Sequence, residues 1–596
     1  MSFLIFLLAF AFYLHGLSGT IPTYRDSGDL IASIYTLGIA HPPGYAFYVI
    51  VGKLFTLLLP FGNIAYRINV LSALFAAGMA AVLYRLLLLA CSRCPMPRRE
   101  SIGVSAIVTV LLATSPAVIA LARVAEMYTL AAFLSAAILY CLLSDDPRGI
   151  SCAALLLGLG LSVHPTLIFL TPLFVSAYRR EGVSAMKNDV TPSRRHALTP
   201  ILFFLLGLSV FLYLPIRASQ HPLVNWGDPS TWRNFWRVVT RADYGGLKLH
   251  PEQSSFSWTP ASALAQVRYF ATAMKAEWGW GALFLGSLGV LLGLRSAAWR
   301  FWTGGLLISW ILSGPAFFLL SNLPLAESTT PAILQPYLLL CGVLWVPLVV
   351  LGFYGVCSWT SKPFLMALLS MALMVGSRPW SWTSQRNDFY AYDYARNLLR
   401  ALPPGAVLYE PDDPTHFSLR VLQLVEGRRP DVILLNFFRT RWGYEEIKRQ
   451  WPDLLPPIPI ESGQELRRIL WTYSAKRHPF YAELPQKLIP VSYRSQGLVY
   501  AAQMESTTAS RIESEARLVM NVQRGDFVTT HHSDFFTAHV ISYYAAAQNN
   551  LGIEYANVED WPHAVSHYRE ALQIEPEQSA AQRNLAFALQ KMPKHL

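Results

Sequence analysis

Hydrophobic and polar positions in this chain separate on a long scale. Strongly apolar, nearly uncharged runs recur through the first two thirds and then stop. They lie near 2–17, 66–90, 103–122, 127–143, 150–163, 166–177, 198–216, 279–294, 302–320, 332–355 and 362–376. The longer runs suffice to cross the ~30 Å hydrocarbon core of a bilayer as helices. The stretch 47–60 carries Lys53 and reads as an interfacial or re-entrant helix. The first run lacks a basic leader and a small-residue cleavage site, and so reads as a retained helix.

Beyond Gly376 the pattern changes. Arg378-Pro379-Trp380 has the form of an interfacial anchor. The runs 406–410 (AVLYE) and 431–437 (DVILLNF) predict strands, with a helical pattern at 415–426 between them. Strand, helix, strand predicts a small unit with parallel strands. Asp412-Asp413-Pro414-Thr415 falls at the carboxyl end of the first strand, where such units bind ligands, though the same residues suit a helix cap and turn. Near the end, Leu551, Gly552, Tyr555, Ala564, Tyr568, Ala571 and Pro576 follow the pattern of a tetratricopeptide repeat. The stretch 578–589 could open a further unit, and 538–547 could supply a degenerate earlier helix. Such a short array is expected to dock on its neighbour, either to bind a protein partner or as a structural piece. The predicted fold class is a polytopic α-helical membrane protein. It comprises a bundle of about 11 helices at 1–376, an external α/β segment at 377–535 and a helical repeat at 536–596.

Composition supports lipid as the main solvent. Hydrophobic residues make up 53% and charged residues 14%, against a usual charged share of about 25%. That excludes a disordered chain, and six cysteines in 596 residues exclude a disulfide scaffold. The net charge of +11 raises nucleic acid as a partner, but its position removes that reading. Residues 1–376 hold 24 basic and 13 acidic side chains, whereas the rest is balanced at 24 each. The basic residues collect in one set of connectors: Arg93, Arg98 and Arg99; Arg148; Arg179, Arg180, Lys187, Arg194 and Arg195; Arg295 and Arg300; Lys362. By the positive-inside rule that side is cytoplasmic, provided the chain turns at His164-Pro165. The N-terminus is then inside and the whole tail external. A bacterial inner membrane fits, and a eukaryotic endomembrane is the other possibility.

The unusual polar residues fall on the external side. The first loop carries Arg25-Asp26-Ser27-Gly28-Asp29 and then His41-Pro42-Pro43-Gly44-Tyr45. Later turns add Arg123 and Glu126, His164, Arg217, and Asn225-Trp226-Gly227-Asp228, followed by Glu327. Ionisable groups at membrane depth are costly, and several converging at one interface suggest a site. Each also has a plain structural use. Asp26 or Asp29 could cap the helix predicted to start near Leu30. Glu126 could pair with Arg123, His164 could close a helix end, and Arg217 could snorkel. Tyr45, Trp226 and Tyr244 suit either stacking on a ligand face or an interfacial aromatic belt. Cys91 and Cys94 form a lone C-x-x-C and receive no role.

Several of these segments resemble a known family. They are RDSGDLIASIYTLGIAHPPGYAFYVIVGKLFTLL (25–58), GNIAYRINVLSALFAA (62–77), ARVAEMYTL (122–130), YLPIRAS (213–219) and NWGDP (225–229). They are similar to the domain of unknown function 2723 group, glycosyltransferase family 117, which has the GT-C fold and includes eukaryotic protein O-mannosyltransferases. The resemblance covers roughly residues 1–450. It implies a polyprenyl-phosphate sugar as donor, with a mannose-like hexose, and an acceptor hydroxyl on a protein or glycan at the external face. It also implies an essential acid in the first external loop, at Asp26 or Asp29. The family usually carries Glu at the second of these positions. A carboxylate there would act as base, with Arg217 first, then His164 and Arg123, stabilising the departing phosphate. His41, Tyr45, Glu126, Trp226 and Asp228 complete the expected substrate site, and neither metal nor cofactor is expected. The competing readings are a transporter or lipid flippase, and a tetratricopeptide scaffold with a membrane anchor.

Overall fold

The structure, a computed structural model, describes the chain apart from residues 95, 188–193, 247–255, 360–368, 371, 374, 377–383, 410–411, 437–439, 456–472, 476, 484–492, 503–511, 513–522, 533 and 593–596. For residues 180–187 and 194–197 only the backbone is described. Lys362, most of the run 362–376, the Arg378–Trp380 anchor and the side chains of Arg180, Lys187, Arg194 and Arg195 lie outside these descriptions.

The apolar runs form helices. Among the described residues five helical stretches are long and apolar enough to cross a membrane: Ile64–Ser92, Leu198–Ala218, Pro260–Arg295, Arg300–Ser321 and Thr329–Ser358. Shorter apolar helices span Ser2–His15, Ala46–Leu58, Tyr128–Leu143 and Gly149–Leu161. Leucines and isoleucines of the outer helices, such as Leu57, Leu58, Ile201, Leu202 and Leu206, face outward, as lipid contact requires. The chain is a polytopic helical membrane protein.

Two predicted runs are broken in mid-course. The 103–122 run divides into Arg98–Ala113 and Pro116–Leu121, because Ser115 caps a new helix just before a proline. The 302–320 run divides at Gly314. The 279–294 run belongs to a longer helix, Pro260–Arg295, which starts at a capping box of Thr259 and Ser262 and kinks at Gly279. Its first half carries Gln266, Arg268, Lys275 and Glu277, which hid it from an apolar scan. At the kink both Glu277 oxygens lie 3.2 Å from the Ala117 N–H, so the carboxylate closes the helix Pro116–Leu121.

Glycines set the closest helix contacts. A Cβ on Gly158 would stand 2.9 Å from Gly207 Cα, and one on Gly352 would run into the Leu285 carbonyl. Without hydrophobic drive between helices in lipid, this close approach of small residues is what holds a bundle.

The external part contains a five-stranded sheet ordered β2-β1-β3-β5-β4. The strands are β1 (Val407–Tyr409), β2 (Ile433–Leu435), β3 (Phe480–Ala482), β4 (Tyr493–Gln496) and β5 (Val499–Ala502). β1 pairs in parallel with both β2 and β3, and helix Asp413–Leu424 links β1 to β2, giving the expected unit. The antiparallel pairs β3–β5 and β5–β4 lie in sequence without a legible alternation. The chain ends in helices Phe535–Asn557, Trp561–Ile574 and Ser579–Lys591. The first packs back on the sheet domain and on the first loop, the other two pack on it, and one continuous apolar core joins them to the membrane helices.

Candidate functional site

The first external loop folds back on itself. A short helix, Ser27–Thr36, is buried along most of its length, and Asp26 occupies its N-cap position without making a side-chain cap bond. Asp29 sits in the first turn and does not cap either. Its Oδ2 accepts from the His41 backbone N–H at 3.0 Å and from His41 Nδ1 at 2.8 Å. Its Oδ1 accepts from the Trp226 indole N–H at 2.9 Å. With 3% of its surface exposed, Asp29 is a fully engaged buried acceptor.

Asp26 differs. It keeps 20% side-chain exposure, and among the described residues its side chain has looser neighbours, Arg25 Nε and His41 Nε2, each 3.6 Å from its Oδ2. Tyr45 Oη lies 3.1 Å from the same His41 nitrogen. Burial disfavours a charged His41 ring, but Asp26 and Asp29 outweigh it and raise its pKa. The loop is clamped from the side by a parallel bridge between Ile39 and Asn225. Four non-glycine residues around it, Arg25, Tyr45, Asp228 and Arg241, hold positive φ angles. Such backbone strain collects where surrounding structure fixes a functional geometry.

Glu126 is buried beneath Asp26. Its Oε1 stands 3.5 Å from the Ser27 hydroxyl, and Oε2 has no hydrogen-bond partner among the described residues. Burial, then the Asp26 charge, pushes its carboxyl well above the usual range, while Arg25 opposes them. The cation acting on Glu126 is therefore Arg25, in place of the expected Arg123. The Arg123 guanidinium lies over the Phe12 ring at 5.1 Å and against Gly16, packing the first helix. His164 packs at a tilt against Tyr128 at 5.1 Å and edge-on against Tyr337 at 5.8 Å, and its Nδ1 bonds to Thr166 Oγ1 at 2.7 Å. Burial, with the Arg241 and His41 charges, lowers its pKa to about 3, so it is neutral and unsuited to hold a phosphate as a cation.

Arg217 stands elsewhere. Its Nε donates to the Leu37 carbonyl at 2.6 Å and an Nη to the Thr36 carbonyl at 3.2 Å, closing the C-terminal end of the loop helix. At ~1.5 Å per residue that is over 10 Å along the axis from Asp26. Trp226 orients Asp29, and its ring is covered by Phe417 and Trp442 at 6.1 and 5.4 Å, so it is placed to orient a carboxylate rather than to stack on sugar. Asp228 accepts from the Asn225 amide at 3.1 Å and holds the turn.

The external domain covers this loop. A Cβ on Gly28 would stand 2.8 Å from the Phe417 backbone, so the loop helix and helix Asp413–Leu424 meet in close contact. Asp412 caps that second helix through Thr415 N–H at 3.0 Å, as the cap reading of this cluster has it. Its neighbour Asp413 is open to solvent but faces the loop. Desolvation, then the Asp26 and Asp412 charges, raises its carboxyl to about 6. Beside it, Arg241 lies over the Tyr244 ring at 5.8 Å. Arg25, Tyr128, Tyr337 and Arg241 are thus further candidate site residues that the sequence did not single out, whereas Asp413 belonged to the cluster noted at the end of the first strand. Of the four, only Arg25 had a signal, its place directly before Asp26. The arrangement offers an accessible carboxylate at Asp26, a guanidinium beside it, and an imidazole fixed by the Asp29 carboxylate.

Residues 26–185 match the family model described as "Protein O-mannosyl-transferase TMEM260 N-terminal domain". The chain is 26% identical over 460 residues to mouse "Protein O-mannosyl-transferase TMEM260", covering 72% of this chain and 62% of that one. It is 22% identical over 472 residues to the Dictyostelium discoideum protein "Protein O-mannosyl-transferase tmem260", covering 71% and 55%. The chain therefore spans little more than half the length of these curated relatives. Among solved structures, apo ArnT from Cupriavidus metallidurans aligns with a TM-score of 0.43 at 12% identity, over 84% of this chain and 97% of that one. In the segment that carries Asp26, Asp29, His41, Glu126 and His164, the chain is similar to the protein O-mannosyl-transferase TMEM260 N-terminal domain.

Proposed function

We propose that this chain is a membrane glycosyltransferase of the GT-C type. It moves a mannose-like hexose from a polyprenyl-phosphate carrier to a hydroxyl of an external protein or glycan. The observation that carries the reading is the first loop, where Asp26 keeps an accessible carboxylate beside Arg25 while Asp29 and His41 are locked together.

Asp26 accepts the proton of the acceptor hydroxyl as its oxygen bonds to the anomeric carbon. The bond from that carbon to the carrier phosphate breaks, and its electron pair leaves on the phosphate oxygen. Arg25 supplies positive charge for that oxygen, with Arg241 as the second cation. Asp29 does no chemistry in this scheme. It orients His41, whose Nε2 faces Asp26 and Tyr45. The lipid tail reaches the site sideways between helices. The loop and the tail domain lie on the external side, the N-terminus is cytoplasmic, a bacterial inner membrane is the compartment, and no metal takes part. The C-terminal helices are a short tetratricopeptide-like unit that also suits a protein partner.

The test is transfer of labelled mannose from polyprenyl-phosphate mannose to an external-protein acceptor by the purified chain in lipid nanodiscs. Transfer that is abolished by Asp26→Asn supports the reading. Absence of any transfer by the wild type, with donor and acceptor varied, overturns it.

A further inference from the structure

The last long helix, Phe535–Asn557, touches both halves of the candidate site. On the loop side, Thr23 and Tyr24 immediately precede Arg25 and Asp26. Thr23 Oγ1 lies 2.8 Å from Thr537 Oγ1, and the Tyr24 ring packs 5.4 Å from Phe536. Asp388 Oδ2 accepts from the Thr23 N–H at 3.2 Å, and with the Thr537 hydroxyl donating to Asp534 at 2.7 Å it is the Thr23 hydroxyl that donates to Thr537 Oγ1. On the roof side, Tyr543 donates to Asp412 Oδ2 at 2.6 Å, and His539 Nε2 lies 3.2 Å from the same oxygen. Asp412 starts the helix Asp413–Leu424, which meets the loop helix where Gly28 lies against the Phe417 backbone.

We infer that helix Phe535–Asn557 is a positioning element of the transfer site. Through Thr537 it fixes the backbone leading into Asp26, and through Tyr543 it fixes the helix start that carries Asp413. Resting on the transferase reading above, this makes the C-terminal unit part of the active geometry. Thr23 and Thr537 are buried, at 3% and 5% exposure, and their hydroxyls meet directly. A buried polar contact of this kind has one satisfied arrangement, so it fixes register where apolar packing alone would tolerate sliding.

The test uses the full-length chain in nanodiscs with Thr537→Val, Tyr543→Phe and Thr537→Ser. Two quantities are measured: steady-state transfer from polyprenyl-phosphate mannose, and hydrogen exchange of peptides covering 17–36 and 413–424. Thr537→Val and Tyr543→Phe should lower kcat by ~10- to 100-fold, the scale of an ångström-sized misplacement. The donor KM should stay within about twofold, and exchange should rise in the touched peptide. Thr537→Ser should restore both. Unchanged kcat and exchange in Thr537→Val and Tyr543→Phe, beside an active wild type, overturn the inference, as does Thr537→Ser behaving like Thr537→Val. Inactive wild type with altered exchange refutes the transferase reading and leaves the coupling standing, whereas inactive wild type with unaltered exchange refutes both.

Discussion

The Asp29 carboxylate takes two hydrogen bonds from His41, from its backbone N–H at 3.0 Å and its ring Nδ1 at 2.8 Å. With the Trp226 indole on its other oxygen, Asp29 is held by three donors, whereas Asp26 has looser neighbours. The two acids three residues apart thus have different work, and their variants should separate.

Asp26→Asn should lower kcat by ~10²–10⁴-fold with folding intact, the usual cost of losing a general base. Asp29→Asn should cost less in kcat but should lower thermal stability, since it disturbs the His41 and Trp226 donors. Transfer assays with thermal unfolding of both variants would check this. Equal losses of activity and stability would show that the acids act as one structural unit.

Arg25 and Arg217 should separate as well. Arg25→Gln should reduce kcat by ~10²–10³-fold, the scale of one lost donor to a developing anion. Arg217→Gln should leave the chemistry nearly intact and cost ~0.5–1.5 kcal/mol of stability, because the part-buried Thr36 and Leu37 carbonyls lose their donor. Parallel kinetics and unfolding measurements would reveal an exchange of these roles.

Stability should fall as pH rises from mildly acid to neutral. Burial, with the Asp534 charge, holds the Asp388 carboxyl up at about 7, against about 4 in an unfolded chain. Between those values the folded state keeps a proton that the unfolded state gives up. Stabilisation from that proton is complete near pH 4 and lost by about pH 7. The unfolding temperature in detergent should be higher at pH 5 than at pH 8, and Asp388→Asn should shrink the difference. A difference that persists unchanged in the variant would rule out Asp388 as its source.

Gly352→Val should prevent stable assembly. Its Cβ would strike the Leu285 carbonyl, where the backbones of two membrane helices meet. Loss of monodisperse protein on size-exclusion chromatography is the expected result. Gly304→Ala, where a Cβ meets nothing within 4 Å, should behave as wild type.

The membrane helices were legible because a bilayer forces long apolar runs, and the β1–helix–β2 unit because its strands are short and strongly apolar. Asp26, Asp29 and His41 were legible through their types and spacing on one loop. Other roles depend on where a side chain points. Arg217 looked like a free cation at a helix end, but its donors are spent on carbonyls of a helix that the sequence placed only loosely. Trp226 looked like a stacking platform, although its N–H is what matters. Asp413 was hidden by its neighbour Asp412, whose cap explained the whole cluster. Tyr337 and Arg241 come from distant segments, and no local pattern announces such convergence.

Thr23 and Thr537 meet across 514 positions of chain. More than five hundred residues are synthesised between these two hydroxyls. During biosynthesis the segment bearing Asp26 is inserted early and waits, unrestrained on that side, until the late helix emerges and folds against it. A chain interrupted in its sheet domain would hold every residue of the first loop and none of this tie. For the proposed transfer, order of synthesis then acts as a safeguard, because a nascent or broken chain lacks the last support of its first loop.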